Sequence, residues 1–497
     1  MRSCDLAELL LTELNRADSP QQRAPLNRRL YHTLRGTILG GKLTAGTRLP
    51  STRDLARDLD LSRNTVMSAI GQLAAEGYLT AQQGSGTFVS AALPDQRPLT
   101  PARAAAPQRN PRNLSRRGTL LTRSSGAARL EVQPFAPGSA DYSEFPIQLW
   151  HKLQAKYWRT LDRDLLDYGQ RGGYMPLRRA IAQYLTLSRS VRVTPEQVFV
   201  TAGTQQAIDL TARLLTDQGD LAWVENPCYW GARAALLAAG LRLHPVAVDA
   251  EGIAPRAADW QAAPRLIYVT PSHQYPLGHV MSLQRRRALL EFAARRRCWI
   301  FEDDYDSEFR YGGRPYASLQ GLDEHAQVLY SGTFSKVMYP GIRLGYLVVP
   351  PDLVDAFDNG LYDLYRPGQL MLQAALTDFI NEGHFNTLIR RLRVAYQARR
   401  DELSRRIQSQ LGERVRISGH DSGLHLCLVF EGVDARVDDE VVAAQLAVHG
   451  ISVRPLSRYY LEGGGVRGLI VGYAYVPTER VAPWAKRLCE LLVQALG

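Results

Sequence analysis

Lys336 closes the run Ser331-Gly332-Thr333-Phe334-Ser335-Lys336, directly behind an apolar stretch, and Gly341-Ile342-Arg343-Leu344-Gly345 follows it. Only five of the 60 basic residues are lysines: Lys42, Lys152, Lys156, Lys336 and Lys486. In a chain that otherwise uses arginine, a lysine at a strand end suggests a position that needs a primary amine. Schiff-base chemistry is such a need, and a guanidinium cannot meet it. Ser335 and Arg343 suit a phosphate dianion, the arginine through its bidentate fork. Taken alone, the run fits a solvated surface lysine equally well.

Three further runs carry matching chemistry. Phe301-Glu302-Asp303-Asp304-Tyr305 ends another strand, and a carboxylate at a strand's end is of the kind that pairs with a pyridinium nitrogen and keeps the ring an electron sink. Glu302, Asp303, Asp304 and Asp306 would also permit Mg²⁺, but we read no metal site from them. Thr201-Ala202-Gly203-Thr204-Gln205-Gln206-Ala207 runs from a strand into a helix, whose first N–H groups make an anion site. Glu225-Asn226-Pro227-Cys228-Tyr229 again follows a strand and offers an aromatic face for stacking.

The elements that must position these groups are short apolar strands alternating with helix-length segments. Val198–Thr201, Leu221–Glu225, Arg265–Thr270, Trp299–Asp303 and Val328–Ser331 predict an α/β domain over 131–497 with a largely parallel sheet. From about Glu382 a long arginine-rich helix and strands such as Leu424–Phe430 and Leu469–Tyr473 predict a smaller α+β subdomain. Residues 24–90 read as a separate, mainly α module. Ser51 caps one helix, and Ser62 caps a second that ends at Gly77. The exposed first turn of the second helix carries Arg63, Asn64 and Thr65, suited to base edges and phosphates in a major groove. Gln82-Gln83-Gly84-Ser85-Gly86 turns a hairpin readable as a wing. Residues 1–23 form a helical extension, amphipathic over Leu6–Leu14, and 91–130 a flexible linker rich in Pro and Arg.

At 497 residues the chain is long enough for about three domains. Five scattered cysteines without a CxxC pair argue against a disulfide scaffold or zinc ribbon and for a reducing compartment. No run of 18 apolar residues predicts a membrane span, so a cytoplasmic location is expected. The net charge of +11 is uneven: residues 91–130 hold eight arginines and one acid, Asp95. Residues 1–90 add three positive charges, so the remainder is nearly neutral. A polyanion contact is expected at the N-terminal quarter.

Leu26–Ser90 resembles the winged helix–turn–helix of the GntR family. The resemblance rests on Gly46-Thr47-Arg48-Leu49-Pro50-Ser51-Thr52-Arg53-Asp54-Leu55-Ala56, Ser62-Arg63-Asn64-Thr65-Val66 and Leu73-Ala74-Ala75-Glu76-Gly77-Tyr78-Leu79. Residues 132–495 resemble fold-type I, aminotransferase-like PLP enzymes. Tyr168-Gly169, Gly172-Gly173-Tyr174 and Thr270-Pro271-Ser272-His273-Gln274-Tyr275-Pro276 with Gly278 add to the runs above. The whole chain is thus similar to MocR/GabR-type regulators. The resemblance implies that Lys336 forms the internal aldimine of pyridoxal 5′-phosphate (PLP), Asp303 pairs with the ring nitrogen, Tyr305 bonds the phenolic oxygen and Tyr229 stacks on the ring. It implies that Thr204, Ser335 and Arg343 hold the phosphate with backbone at Gly203–Gln205, that Tyr168 reaches a partner subunit's site, and that Arg454 binds an effector carboxylate.

For DNA, the resemblance assigns operator contacts to Arg53, Ser62, Arg63, Asn64 and Thr65, and lays Gln83 and Gly84 in the minor groove. Met67 stands where some relatives have arginine. Gly231 stands where the GABA-responsive member has a second arginine, which argues against GABA as effector. Tyr275 replaces the Asn of the Asn-Pro-x-Gly run usual in catalytic aminotransferases. The expected partners are a double-stranded DNA operator, a small amino compound or PLP itself as effector, a second subunit in a head-to-tail homodimer, and RNA polymerase. We read the domain as a sensor; a true aminotransferase and a degenerate non-PLP module are the alternatives.

Overall fold

The computed structural model describes residues 3–14, 24–82, 85–93, 114–123, 133–160, 162–168, 171–312, 317–366, 368–461 and 465–497. The chain divides into two compact units, 1–113 and 114–497. Gln83, Gly84 and most of the 91–130 stretch lie outside the described residues.

The first unit contains α1 (Ser3–Leu14), α2 (Leu26–Leu39), α3 (Thr52–Asp58), α4 (Arg63–Ala75), β1 (Leu79–Gln82) and β2 (Gly86–Val89). Leu6 and Leu10 of α1 join Leu30, Leu34, Leu55, Val66 and Leu73 in one core, so the N-terminal helix is part of the module. Ser51 Oγ accepts from Asp54 N at 3.2 Å, and Ser62 Oγ from Thr65 N at 3.1 Å, capping α3 and α4 as their types demand. Between them the chain turns at Asp60, with φ 52°, a conformation Asp tolerates better than most residues. β1 and β2 pair antiparallel, and Arg48 adds a bridge to Phe88.

The second unit opens with α5 (Arg116–Arg123), inside the stretch read as a linker. The prolines of that stretch stop at Pro111, and Ser115 Oγ accepts from Gly118 N at 3.0 Å, a capped start. Arg117 Nη1 donates to the Ala238 carbonyl at 3.0 Å, anchoring α5 on the helix Trp230–Ala238.

Eight strands follow: β3 (Val198–Thr201), β4 (Leu221–Asn226), β5 (Arg242–Asp249), β6 (Gly252–Ile253), β7 (Leu266–Val269), β8 (Trp299–Asp304), β9 (Val328–Thr333) and β10 (Gly345–Val348). Their order is β3-β10-β9-β8-β7-β4-β5-β6. Alternate residues face opposite layers. Val224, Tyr268, Phe301 and Leu329 pack with Ile208 and Leu236 from the helices Thr204–Leu215 and Trp230–Ala238. Trp223, Ile267, Ile300 and Val328 pack with Leu289 and Phe292 from the helix Leu283–Arg296. The sheet is mixed: β10 runs antiparallel to both β3 and β9. Residues 334–344 between β9 and β10 are too few for a parallel crossover, which takes roughly a dozen or more.

The smaller subdomain is an antiparallel sheet of β11 (Val415–Ser418), β12 (His425–Phe430), β13 (Arg454–Pro455) and β14 (Gly468–Gly472), in the order β11-β12-β14-β13. The helices His384–Leu411 and Thr478–Leu496 share its core. Among the described residues no helix is long and apolar enough to cross a membrane.

Candidate functional site

The carboxyl ends of β4, β7, β8 and β9 and the start of the helix Thr204–Leu215 surround one cavity of about 460 Å³. Such sheet ends are where ligands bind in open α/β folds. Lys336, Asp303, Tyr305, Tyr229, Gly203, Thr204, Gln205, Ser335, Arg343 and Arg454 all line it, although they are scattered over 252 positions between Gly203 and Arg454 inclusive. Tyr168 does not line it: its ring is 67% exposed, with the Arg366 guanidinium 5.9 Å from its centroid.

Lys336 follows β9 in the turn Phe334–Lys336, and its Nζ donates to the Gly138 carbonyl at 3.0 Å. Burial pushes the amine below the ordinary lysine value, while Asp306 and Asp303 pull it back up. Gly138, at φ 80°, leaves room for it: a Cβ there would stand 3.0 Å from Nζ.

Asp303 lies near the end of β8, where burial pushes its carboxyl up to about 7. Its Oδ2 accepts from Tyr268 OH at 2.7 Å, and its buried Oδ1 has no partner. Thr204 Oγ1 is likewise buried without a partner. Gly203, at φ 100°, turns β3 into its helix, and a Cβ there would lie 3.8 Å from Arg343 Nη1. A helix N-terminus, a threonine hydroxyl and a guanidinium therefore converge.

Tyr229 packs edge-on against Tyr275, with centroids 5.8 Å apart, and Tyr275 against Tyr305 at 5.7 Å. Tyr275 OH lies 3.2 Å from Tyr459 OH. Gly231 is closed to any side chain: a Cβ would sit 2.5 Å from the Tyr229 ring and from Gln205 Oε1.

The four acids around Asp303 do not share a centre. Glu302 accepts from the backbone N–H groups of Leu319 and Gln320, both at 2.9 Å. Asp304 accepts from Tyr330 OH and faces Arg189 at 3.4 Å, while Asp306 meets His273. Alternation along β8 puts Asp303 on the face opposite Glu302 and Asp304, Asp306 lies beyond the strand, and Glu302, Asp304 and Asp306 are held by different partners.

Sequence reasoning missed Gly138, Tyr142, Trp230, Tyr268 and His425. Tyr268 looks like one more residue of an apolar strand, and Gly138 is 198 positions from the lysine it contacts.

In the first unit Arg53, Ser62, Arg63 and Asn64 are exposed, and Thr65 is half-buried. The hydroxyls of Ser62 and Thr65 lie 2.8 Å apart and bond each other, so the two arginines and Asn64 keep the freer polar ends.

A winged helix–turn–helix in one unit and a type I aminotransferase fold in the other define a transcriptional regulator with an aminotransferase-like domain. Residues 26–89 match the family of bacterial regulatory proteins, gntR family, and residues 138–488 match aminotransferase class I and II. The chain belongs to the GntR-family regulators of the MocR type, which join these two domains. It is 41% identical over 451 residues to the probable rhizopine catabolism regulatory protein MocR of Rhizobium meliloti, covering 90% of each chain. It is 30% identical to the pyridoxine biosynthesis transcriptional regulator PdxR of Corynebacterium glutamicum, over 93% of this chain and 95% of that one. The multiple substrate aminotransferase of Thermococcus profundus has the same fold, with a TM-score of 0.68 at 23% identity, over 77% of this chain and 98% of that one.

Proposed function

We propose that the second unit binds PLP and that the protein changes its operator binding in response to a small amino compound or to PLP itself. The observation that carries this is the buried, partnerless Asp303 Oδ1 in the same cavity as Lys336 Nζ, Thr204 Oγ1 and Arg343. Each of these groups fits a different part of one molecule. Lys336 offers the amine, Asp303 an acceptor for a protonated ring nitrogen, and Thr204, Ser335 and Arg343 donors for a phosphate at the Gly203–Gln205 turn. Tyr229 supplies the ring face and Arg454 a cation for an effector carboxylate. When bound there, PLP supplies an aldehyde that condenses with primary amines and a ring that withdraws electrons.

The name of the Corynebacterium relative, a pyridoxine biosynthesis regulator, supports a vitamin-derived effector. Tyr275, hydrogen-bonded to Tyr459 where catalytic relatives carry asparagine, supports sensing over turnover. Exposed Trp158, Leu166 and Tyr168 support a homodimer in which Tyr168 completes the partner's site. The cytoplasm is where such a protein meets its operator.

The test adds PLP to purified protein and follows its visible absorption alongside operator binding, with candidate amines added in turn. Lys336→Ala is expected to abolish the covalent absorption band and the amine response while operator binding persists. Multiple turnovers with a keto-acid acceptor, lost in Lys336→Ala, would replace the sensor by an enzyme.

A further inference from the structure

His273 has no part in the site described above, yet it is the partner of Tyr305. The imidazole is 1% exposed. Its Nδ1 lies 3.1 and 3.2 Å from the two oxygens of Asp306 and 3.0 Å from Tyr305 OH, and its Nε2 is buried without a partner. A neutral imidazole has one N–H, and a carboxylate can only accept. The proton therefore belongs on Nδ1. The other tautomer would set a lone pair against Asp306 and leave an N–H buried and unpaired at Nε2, which costs the full desolvation of that group. With Nδ1–H in place, Tyr305 meets His273 as an acceptor, and its own proton is left for the cavity that Tyr305 lines.

The ring has no freedom to turn. Gly278, Gly419 and Gly423 all have positive φ and close around it: a Cβ at Gly423 would stand 2.0 Å from His273 Cε1, and one at Gly278 3.1 Å from Nε2. His425 packs at 5.1 Å between centroids. It donates from Nε2 to the Pro276 carbonyl at 3.1 Å, and burial pushes its value down to about 3. The groups that face Tyr305 electrostatically are Asp306, Tyr275, Asp303 and Glu225.

We propose that His273, oriented by Asp306, is a positioning residue that fixes Tyr305 as a hydrogen-bond donor into the cavity, toward the phenolic oxygen of bound PLP. The proposal rests on the PLP reading and deepens it. Donation to an oxygen favours its anionic form, so losing the donor raises the pH at which the visible band of the PLP-loaded protein changes.

The experiment titrates that band in wild type, Tyr305→Phe, His273→Leu, His273→Asn and the Tyr305→Phe/His273→Leu double variant. A hydrogen bond to a charged group corresponds to about one to two pH units. Tyr305→Phe and His273→Leu are each expected to move the midpoint up by about that much. His273→Asn, whose amide keeps a donor, is expected to stay near wild type, and the double variant to move no further than either single one. An unmoved midpoint in His273→Leu, or additive shifts in the double variant, would overturn the proposal. Imidazole ¹⁵N shifts of the wild-type protein test it without any substitution: a proton on Nδ1 supports it, and Nε2–H with a bare Nδ1 at His273 overturns it. If the wild type shows no visible band with PLP, the PLP reading itself fails, a separate outcome.

Discussion

Burial raises the proton affinity of several carboxyls in the second unit, Asp303 of the site among them. Glu225, Glu302, Asp303 and Glu308 are all pushed up to about 7, each first by desolvation. A carboxyl whose folded value is raised binds its proton more tightly folded than unfolded, so it stabilises the fold at low pH. That contribution is lost as pH rises from the ordinary carboxyl range, about 4, through 7. His425, held near 3, works the other way, losing stability as pH falls below its ordinary value. Between pH 6 and 8 the carboxyls prevail, and the second unit without PLP is expected to melt at a lower temperature at pH 8. Glu225→Gln, an isostere of the protonated side chain, should raise that melting point at pH 8 and leave it unchanged at pH 5; calorimetry at the two pH values checks this. At Gly231 the steric argument is direct. Gly231→Ala forces the Tyr229 ring or Gln205 aside, at a cost of about 1–3 kcal/mol. PLP affinity should fall by about tenfold or more, measured by equilibrium titration.

At the scale of elements, the strands read from apolar runs were legible nearly to the residue because those runs end in turn residues: Val198–Thr201 folds over the same four residues that its apolar run predicts, and Val328–Ser331 extends only to Thr333. The caps were equally legible, since Ser and Asp at a helix start carry their own hydrogen-bond logic. Other features were not: β5, β6, β10, β11 and β13 have no run that marked them as strands in the sequence. The antiparallel run of β10 follows from the length of its connection rather than from its own residues. The helix α5 was hidden in a stretch whose composition argued for a linker. A prediction at this scale separates capping from recognition in the first unit. Ser62→Ala should destabilise that unit by about 1 kcal/mol, because Thr65 N loses its acceptor. Arg63→Ala, exposed on the first turn of α4, should leave stability unchanged and weaken operator binding about fivefold or more. Melting curves and operator titrations on both variants distinguish the two roles, and loss of PLP uptake in either would point to a wider defect.

For the whole molecule, the charge of +11 belongs almost entirely to residues 1–130, the part of the chain that contains the GntR-family module. Replacing the eight arginines of 91–130 by glutamine at unchanged length should flatten the salt dependence of operator binding. Every phosphate that an arginine no longer neutralises takes about one unit off the log–log slope. Arg117 should add least, because a hydrogen bond from its Nη1 anchors it to the Ala238 carbonyl of the second unit; Arg117→Gln alone is expected to leave the slope unchanged. By itself the sequence determined the two kinds of domain, the strands with clear apolar runs, the lysine and its companions at strand ends, and where the charge lies. These follow from local pattern: apolar period, capping residues, and residue types tied to one chemistry. Only the tertiary structure decided that Gly138 meets Lys336, that Tyr268 takes one oxygen of Asp303 and leaves the other, that four neighbouring acids turn apart, and that His273 stands behind Tyr305. Those contacts join residues far apart in the chain, and packing selects among partners that local pattern does not distinguish.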